Sequence, residues 1–450
     1  MMNNTDIVKY IIGDDNNTQY NKLLSQFNDT IDNYQGLSSV NFGSISKFEK
    51  PKNVIPSVRF NYSLDELNEI CNKYLDGSEK AFNTVLYLAL SLCGVKISDE
   101  DSLLYVKSFI GYKEGRRFFR VSGTIGSKRL TMRIVPSAWG EGDDSTSTRF
   151  ALRNTTDVYL DDINVGQITS LFTASSLKNL AYVTKHASGE YNLNLNPYQF
   201  CNQNCLFCSK GFRHMNDELR KSLVNLSPDQ IIRYIEMKLP ELNFATLTEV
   251  IILTGRYYST EDLLKYVERI VKGLNILSKG DFDPLLNHNQ RVKISTHLLQ
   301  SEDDMIRGKE LGIKRFIYPI EIFNDGLRKK YMTNDTYSEN KGDTPISSVF
   351  EVLERAVKIF GADNVEPVII VGLDSYEETI NGLKRIKQLG VNMLTYSVFR
   401  VYDCDQFEMY KLSLDEIVSI ISIIENTFSN GYKQIIDFDD KQINKLYRKL

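Results

Sequence analysis

From about residue 190 onward, short apolar runs alternate with longer stretches in which apolar positions recur every three or four residues. The short runs read as strands: YNLNLN (191 to 196), EVIILTG (249 to 255), VKISTH (292 to 297), RFIYPIEI (315 to 322), VEPVIIVG (365 to 372) and NMLTYSVF (392 to 399). Between them, SPDQIIRYIEMKL, EDLLKYVERIVKGLNIL, EDDMIRGKELG, SSVFEVLERAVKIFG and YEETINGLKRIKQLG carry helical spacing, and several end at a glycine placed as a helix C-cap. This alternation predicts right-handed βαβ units with the helices outside a parallel sheet. Six units make an α/β fold, a partial (βα)6 TIM-like barrel, whose chemistry belongs at the C-terminal ends of the strands.

The first part of the chain has a different pattern. Residues 1 to about 55 are rich in Asn, Asp, Gln and Ser and read as a peripheral segment with one or two short helices. Ser63 and Glu66 have capping-box spacing before a helix over about 64 to 75, and a more buried helix over about 80 to 93 stops at Gly94. LLYVKSFI, RRFFRVSG and RLTMRIVP then read as β-runs separated by the glycine-containing turns GYKEG and GTIGS, which predicts a small antiparallel sheet. PSAWGEGDDSTST reads as an exposed acidic loop. The expected organisation is a smaller α+β N-terminal domain over 1–185 and the barrel with C-terminal helices over 186–450, without internal repeats.

Composition narrows the function. With 42% hydrophobic and 25% charged residues the chain is an ordinary globular protein, and a net charge of −4 gives no reason to expect nucleic acid or an anionic membrane as a partner. The most apolar run, Val85 to Cys93, is far shorter than the roughly 20 residues that span a bilayer, and the polar opening MMNNTD reads as no signal peptide. These features predict a cytoplasmic, reducing location. Six cysteines are too few for a disulfide scaffold, yet Cys201, Cys205 and Cys208 lie within eight residues, which in a reducing compartment reads as metal chemistry.

The segment PYQFCNQNCLFCSKGFR directly follows the first barrel strand, so the three thiols lie at the barrel mouth. Closely spaced thiolates on one loop can reach three corners of a cubane iron–sulfur cluster and leave one iron open, which turns the group from electron storage to ligand binding. A zinc site with His214 as fourth ligand and three unrelated thiols are the alternatives.

This CxxxCxxC spacing, with Phe207 just before the last cysteine at the end of a first β-strand, resembles the signature of the radical S-adenosylmethionine superfamily, over roughly residues 188 to 430. The resemblance implies a 4Fe-4S cluster on Cys201, Cys205 and Cys208, S-adenosyl-L-methionine as cofactor, and a 5′-deoxyadenosyl radical that abstracts hydrogen from a substrate. It also implies a one-electron reductant such as flavodoxin or ferredoxin.

Other positions are matched one by one. Thr254, Gly255 and Arg256 stand where the superfamily holds the methionine amine at the end of the second strand; the acid is missing, and Arg256 is either a carboxylate clamp or a solvated strand-end Arg. Glu321, inside the apolar run IYPIEIF, matches the residue that bonds the ribose hydroxyls, with an ion pair to a neighbour such as Arg328 as the alternative. Ile370 and Gly372 partly match the adenine-contacting pattern; Ser375 stands in place of its acid, for which Glu377 or Glu378 substitutes unless both are helix N-terminal charges. Ser295 and His297 share a strand face, Ser295 as a cofactor or substrate contact and His297 as a substrate acid or base or else a structural histidine. Val398 falls near adenine by analogy, and Arg400 and Tyr402 near the substrate.

Beyond the triad only Cys71, Cys93 and Cys404 occur, singly placed, so the chain builds no auxiliary cluster, and no GxGxxG or cobalamin motif is present. The favoured expectation is a single-cluster enzyme acting on a small or medium-sized metabolite. A peptide or protein substrate recruited by Arg116, Arg120, Arg129 and Arg133 of the N-terminal sheet is the second. A non-catalytic metal-binding or regulatory protein is the third.

Overall fold

The computed structural model describes residues 61–108, 119–125, 128–135, 148–171, 181–185, 190–195, 204–207, 227–239, 242–253, 259–333, 341–399 and 412–428. The described residues divide into two units, one of 181–369 with 385–394 and one of 61–171 with 370–384 and 395–428.

Helix α1 (Leu64–Tyr74) begins at a complete capping box: Ser63 Oγ accepts from the Glu66 N–H, and the Glu66 carboxylate accepts from the Ser63 N–H at 2.8 Å. Helix α2 (Glu79–Cys93) buries Val85, Leu88 and Ala89 and ends at Gly94, whose φ of 72° suits a residue without Cβ. Next come β1 (Val95–Ile97), α3 (Glu100–Ser108), β2 (Phe119–Ile125), β3 (Lys128–Val135), β4 (Phe150–Arg153), β5 (Asp157–Leu160) and β6 (Ile163–Leu171).

Two expectations are corrected here. LLYVKSFI is not a strand: residues through Ser108 belong to α3, where the Asp99 carboxylate accepts from the Ser102 N–H at 2.8 Å and Ser102 and Val106, four apart, are the buried positions. The sheet is not simply antiparallel. Strand β1 pairs parallel with both β3 and β4 and closes six strands into a barrel of order β1-β3-β2-β6-β5-β4. The other pairings are antiparallel, and Arg120 stands directly opposite Arg133. The acidic loop expected over PSAWGEGDDSTST and the helices expected before residue 55 lie largely or wholly outside the described residues.

The second sheet is assembled from β7 (Ala181–Lys185) and β8 (Tyr191–Leu195), which are antiparallel, followed after β9 (Asn204–Cys205) and α4 (Pro228–Lys238) by β10 (Leu247–Leu253). Then come α5 (Thr260–Leu277), β11 (Arg291–Ser295), α6 (Glu302–Glu310), β12 (Ile313–Glu321), α7 (Asp325–Tyr331), β13 (Met332–Thr333) and α8 (Ile346–Phe360). The chain continues with β14 (Val365–Val371), α9 (Tyr376–Gln388), β15 (Thr395–Val398) and α10 (Leu414–Thr427). The strand order is β15-β14-β12-β11-β10-β8-β7, and β8, β10, β11, β12 and β14 run parallel, the predicted partial barrel sheet.

One face of this sheet is wholly apolar: Val250, Ile252, Val292, Ile294 and Phe316 are fully buried, and α6 and α8 pack on β12. Full burial of such side chains contributes about 1.5 to 3 kcal/mol each. The opposite face carries charge. Glu249, buried, accepts from Arg291 at 2.7 Å and from Arg315 at 3.3 Å, and Lys293 pairs with buried Glu366, so ion pairs cross β10, β11, β12 and β14 where a closed barrel would stack apolar layers. In the other unit α10 packs on α1, where the Tyr74 hydroxyl donates to Asp415 at 2.7 Å and the Leu414 N–H donates to the Tyr62 hydroxyl. Among the described residues no helix is long and apolar enough to cross a membrane.

Candidate functional site

Cys205 sits on a two-residue strand that the chain holds by its backbone. Asn204 and Cys205 of β9 pair antiparallel with Thr333 and Met332 of β13, and the Leu206 N–H donates to the Tyr331 carbonyl at 2.7 Å. The Cys205 thiol is buried and in no disulfide, and Phe207 is half-buried in the turn that follows. Cys201, Cys208, Thr254, Gly255, Arg256, Arg400 and Tyr402 lie outside the described residues. Among the described residues no three His, Cys, Asp or Glu side chains gather as a metal site. The donor set fits a cluster: a buried, reduced thiol on a turn paired by its backbone to β13, with two more thiols within four residues of it in sequence.

Strand β12 leads through α7 to β13, the partner of this turn, and the last residue of β12 is strained. Glu321 has φ of 64°, in the left-handed region that a side chain with Cβ adopts at a cost of roughly 1–2 kcal/mol. Its carboxylate pairs with the Lys341 ammonium at 2.5 Å, and the Lys341 side chain is only 7% exposed. Arg328, the partner named from sequence as the alternative, is instead fully buried and donates to the carbonyls of Ile320, Ile322, Lys341 and Thr344. Lys341 was not legible in the sequence. It stands in the polar stretch SENKGD, which carries no periodicity and reads as an ordinary loop.

Thr296 is buried between Ser295 and His297, so those two residues share the other face as expected. Burial, and then the nearby Lys341 and Arg328 charges, push His297 down to about 3. The imidazole is therefore neutral at any physiological pH, which excludes a resting imidazolium acid and leaves a hydrogen-bonding or proton-accepting group. Because the folded pKa lies below that of the unfolded chain, the unfolded chain binds the extra proton between pH about 6.5 and about 3, and stability falls as pH drops through that window. His297→Gln is expected to lose less melting temperature than wild type between pH 7 and pH 4.5; equal losses would contradict the assignment.

In the other unit, Gly372 follows β14 with φ of 109°, and a Cβ there would lie 3.4 Å from the Phe399 Cβ. The Phe399 N–H donates to the Val371 carbonyl at 2.8 Å, and Val398, the residue before Phe399, is buried. Ile370 is half-buried. Glu378 is a helix-cap partner, its carboxylate accepting from the Ser375 N–H and hydroxyl, and Glu377 is exposed. The buried acid of this segment is Asp374, 2% exposed, which the sequence reading passed over in favour of its neighbours. Gly372→Ala is expected to cost about 1–2 kcal/mol of stability from the left-handed backbone alone, measured by urea unfolding; a neutral result would contradict it.

The Radical SAM superfamily model matches residues 195–412. No curated protein matches the chain. Similar solved structures include coproporphyrinogen III oxidase (HemN) from Escherichia coli, at 16% identity, TM-score 0.34, 52% of this chain and 51% of that one. SuiB from Streptococcus suis bound to S-adenosylmethionine has 11% identity and TM-score 0.34 over 53% and 49%. HydG, a maturase of the [FeFe]-hydrogenase, has 13% identity and TM-score 0.38 over 52% and 49%. The chain thus spans about half the length of the solved structures it matches. The enzymes of this superfamily use a 4Fe-4S cluster and S-adenosyl-L-methionine and draw on an external electron donor. The cysteine signature falls inside the matched segment, and residues 195–412 are a radical SAM domain.

Proposed function

We propose that the protein is a single-cluster radical SAM enzyme that cleaves S-adenosylmethionine reductively and abstracts hydrogen from a small or medium-sized metabolite. The observation that carries this reading is the tie between the Cys205 turn and β13, the strand that α7 connects to the end of β12 and Glu321. Cys201, Cys205 and Cys208 would hold a 4Fe-4S cluster, which, once reduced by an external donor, would supply the electron for reductive cleavage of the carbon–sulfur bond. The protein's own work is placement. Glu321 at the end of β12 accepts hydrogen bonds from the ribose, Ser295 and neutral His297 lie at the end of β11, Gly255 and Arg256 meet the methionine moiety, and Ile370, Gly372 and Val398 meet adenine. Arg400 is proposed, by analogy with the superfamily, as a substrate contact. A flavodoxin or ferredoxin is the proposed reductant, and residues 61–171 lie in the accompanying α+β domain.

One observation favours a peptide substrate as the second reading. Arg120 and Arg133 are directly opposed across β2 and β3, and like charges so placed destabilise a pair unless an anionic partner relieves them. Substrate accelerates formation of 5′-deoxyadenosine above the uncoupled rate, so extract fractions separate the two readings. The low-mass fraction is expected to stimulate the reduced, cluster-loaded protein. Stimulation by the macromolecular fraction alone, lost on charge reversal at Arg116, Arg120, Arg129 and Arg133, would overturn the metabolite reading.

A further inference from the structure

Arg328 is the largest fully buried side chain among the described residues, and its hydrogen bonds tie together three segments that are separate in sequence. One guanidinium nitrogen donates to the carbonyls of Ile320 and Ile322, at 2.8 and 2.9 Å, the two residues flanking Glu321. The other nitrogens donate to the carbonyls of Lys341 and Thr344 at 3.2 Å each, around the turn that carries the Glu321 ion-pair partner. The helix bearing Arg328 runs directly into Tyr331 and Met332, whose backbones hold Leu206 and Cys205. Gly342 seals the packing: a Cβ there would stand 2.5 Å from the Arg328 carbonyl and 2.7 Å from the Met332 carbonyl. A residue in the left-handed region persists only where its surroundings over-determine it, and here one guanidinium nitrogen holds the carbonyls on both sides of it while the other two hold the Lys341 turn.

We infer that Arg328 is a positioning residue: it holds Glu321 in its left-handed conformation and fixes that carboxylate, with Lys341, relative to the Cys205 turn. A lysine keeps the charge but, with one nitrogen in place of three, cannot hold the flanking carbonyls and the Lys341 and Thr344 carbonyls together, so Arg328→Lys releases the hold with the least change. The structural part of the inference stands alone; its consequence for cofactor binding rests on the function proposed for Glu321 and Cys205.

The test is a double-mutant cycle in the full chain between Arg328→Lys and Glu321→Gly, since glycine adopts a φ near 64° without strain. At least half of the melting-temperature loss caused by Arg328→Lys is expected to disappear in the Glu321→Gly background. If Arg328→Lys alone does not fold, recovery of folded protein in the double variant supports the inference, and failure of both overturns it. Additive losses also overturn it. In the second arm, folded Arg328→Lys is reconstituted with iron and sulfide, and its affinity for S-adenosylmethionine is expected to fall about tenfold, which is about 1.4 kcal/mol. Unchanged affinity overturns the positioning role. Absence of cofactor binding in wild type as well would instead sink the proposed function and leave the cycle to decide the role of Arg328.

Discussion

Replacing Cys205 by Ala is expected to strip most cluster iron from the purified protein and to abolish S-adenosylmethionine cleavage, with the fold retained. The turn does not depend on the thiol, because its backbone is held by the pairing of Cys205 with Met332 and by the Leu206 to Tyr331 hydrogen bond. Removing the sulfur costs only local packing, on the order of 1 kcal/mol, whereas a cluster held by three thiolates loses a third of its protein ligands. Cys201→Ala and Cys208→Ala are expected to behave alike. The contrast lies with Cys71→Ala and Cys93→Ala. Both thiols are buried, in α1 and α2, and burial together with Asp76 pushes the Cys71 thiol above its ordinary value, away from the thiolate that a metal requires. These two variants, with Cys404→Ala, are expected to keep iron and sulfide at wild-type levels. Iron analysis and acid-labile sulfide after anaerobic purification decide it, and stoichiometric zinc without sulfide would contradict the cluster.

The second large effect concerns Glu321. Its carboxylate lies at the C-terminal end of β12 and is already engaged by Lys341, so two roles compete for it: counter-ion of a buried lysine, and acceptor for ribose hydroxyls. Glu321→Gln is expected to weaken S-adenosylmethionine binding by about 1.5 to 3 kcal/mol, the scale of a hydrogen bond to a charged group, or roughly ten- to 150-fold in Kd. Stability falls as well, because Lys341 is left buried without its charge partner. The two effects separate by measurement. Titration calorimetry on the reconstituted variant reports the first and urea unfolding the second; a stability loss with unchanged affinity assigns Glu321 to the lysine alone.

The barrel was legible because its signal is periodic. Buried Val292 and Ile294 flank Lys293 in an alternating strand pattern, and amphipathic helices such as α5 and α8 repeat their buried positions every three or four residues. LLYVKSFI shows where that signal fails: its β-branched and aromatic content reads as strand, yet the Asp99 cap and two acidic residues in the first turn make it a helix. Closure of the N-terminal sheet through β1 was hidden for another reason, since a three-residue parallel strand leaves no pattern of its own. Among the candidate site residues, Cys205 is marked by its spacing and Glu321 by a charge in an apolar run. Lys341 and Arg328 gave no such signal, because their roles come from a turn packed against α7 and from backbone carbonyls that a sequence does not display. The ion pairs among Glu249, Arg291, Arg315, Lys293 and Glu366 likewise exist only once the strand register aligns them.

The central claim is that this chain uses Cys201, Cys205 and Cys208 to turn over S-adenosylmethionine by one-electron chemistry, and product analysis of the reconstituted, reduced wild-type protein tests it most directly. Incubation with S-adenosylmethionine under strict anaerobiosis is predicted to yield 5′-deoxyadenosine and methionine in equal amounts, with neither product formed by the Cys205→Ala variant. A fully cluster-loaded, reducible wild-type protein that forms neither product, alone or with added extract, would contradict the claim.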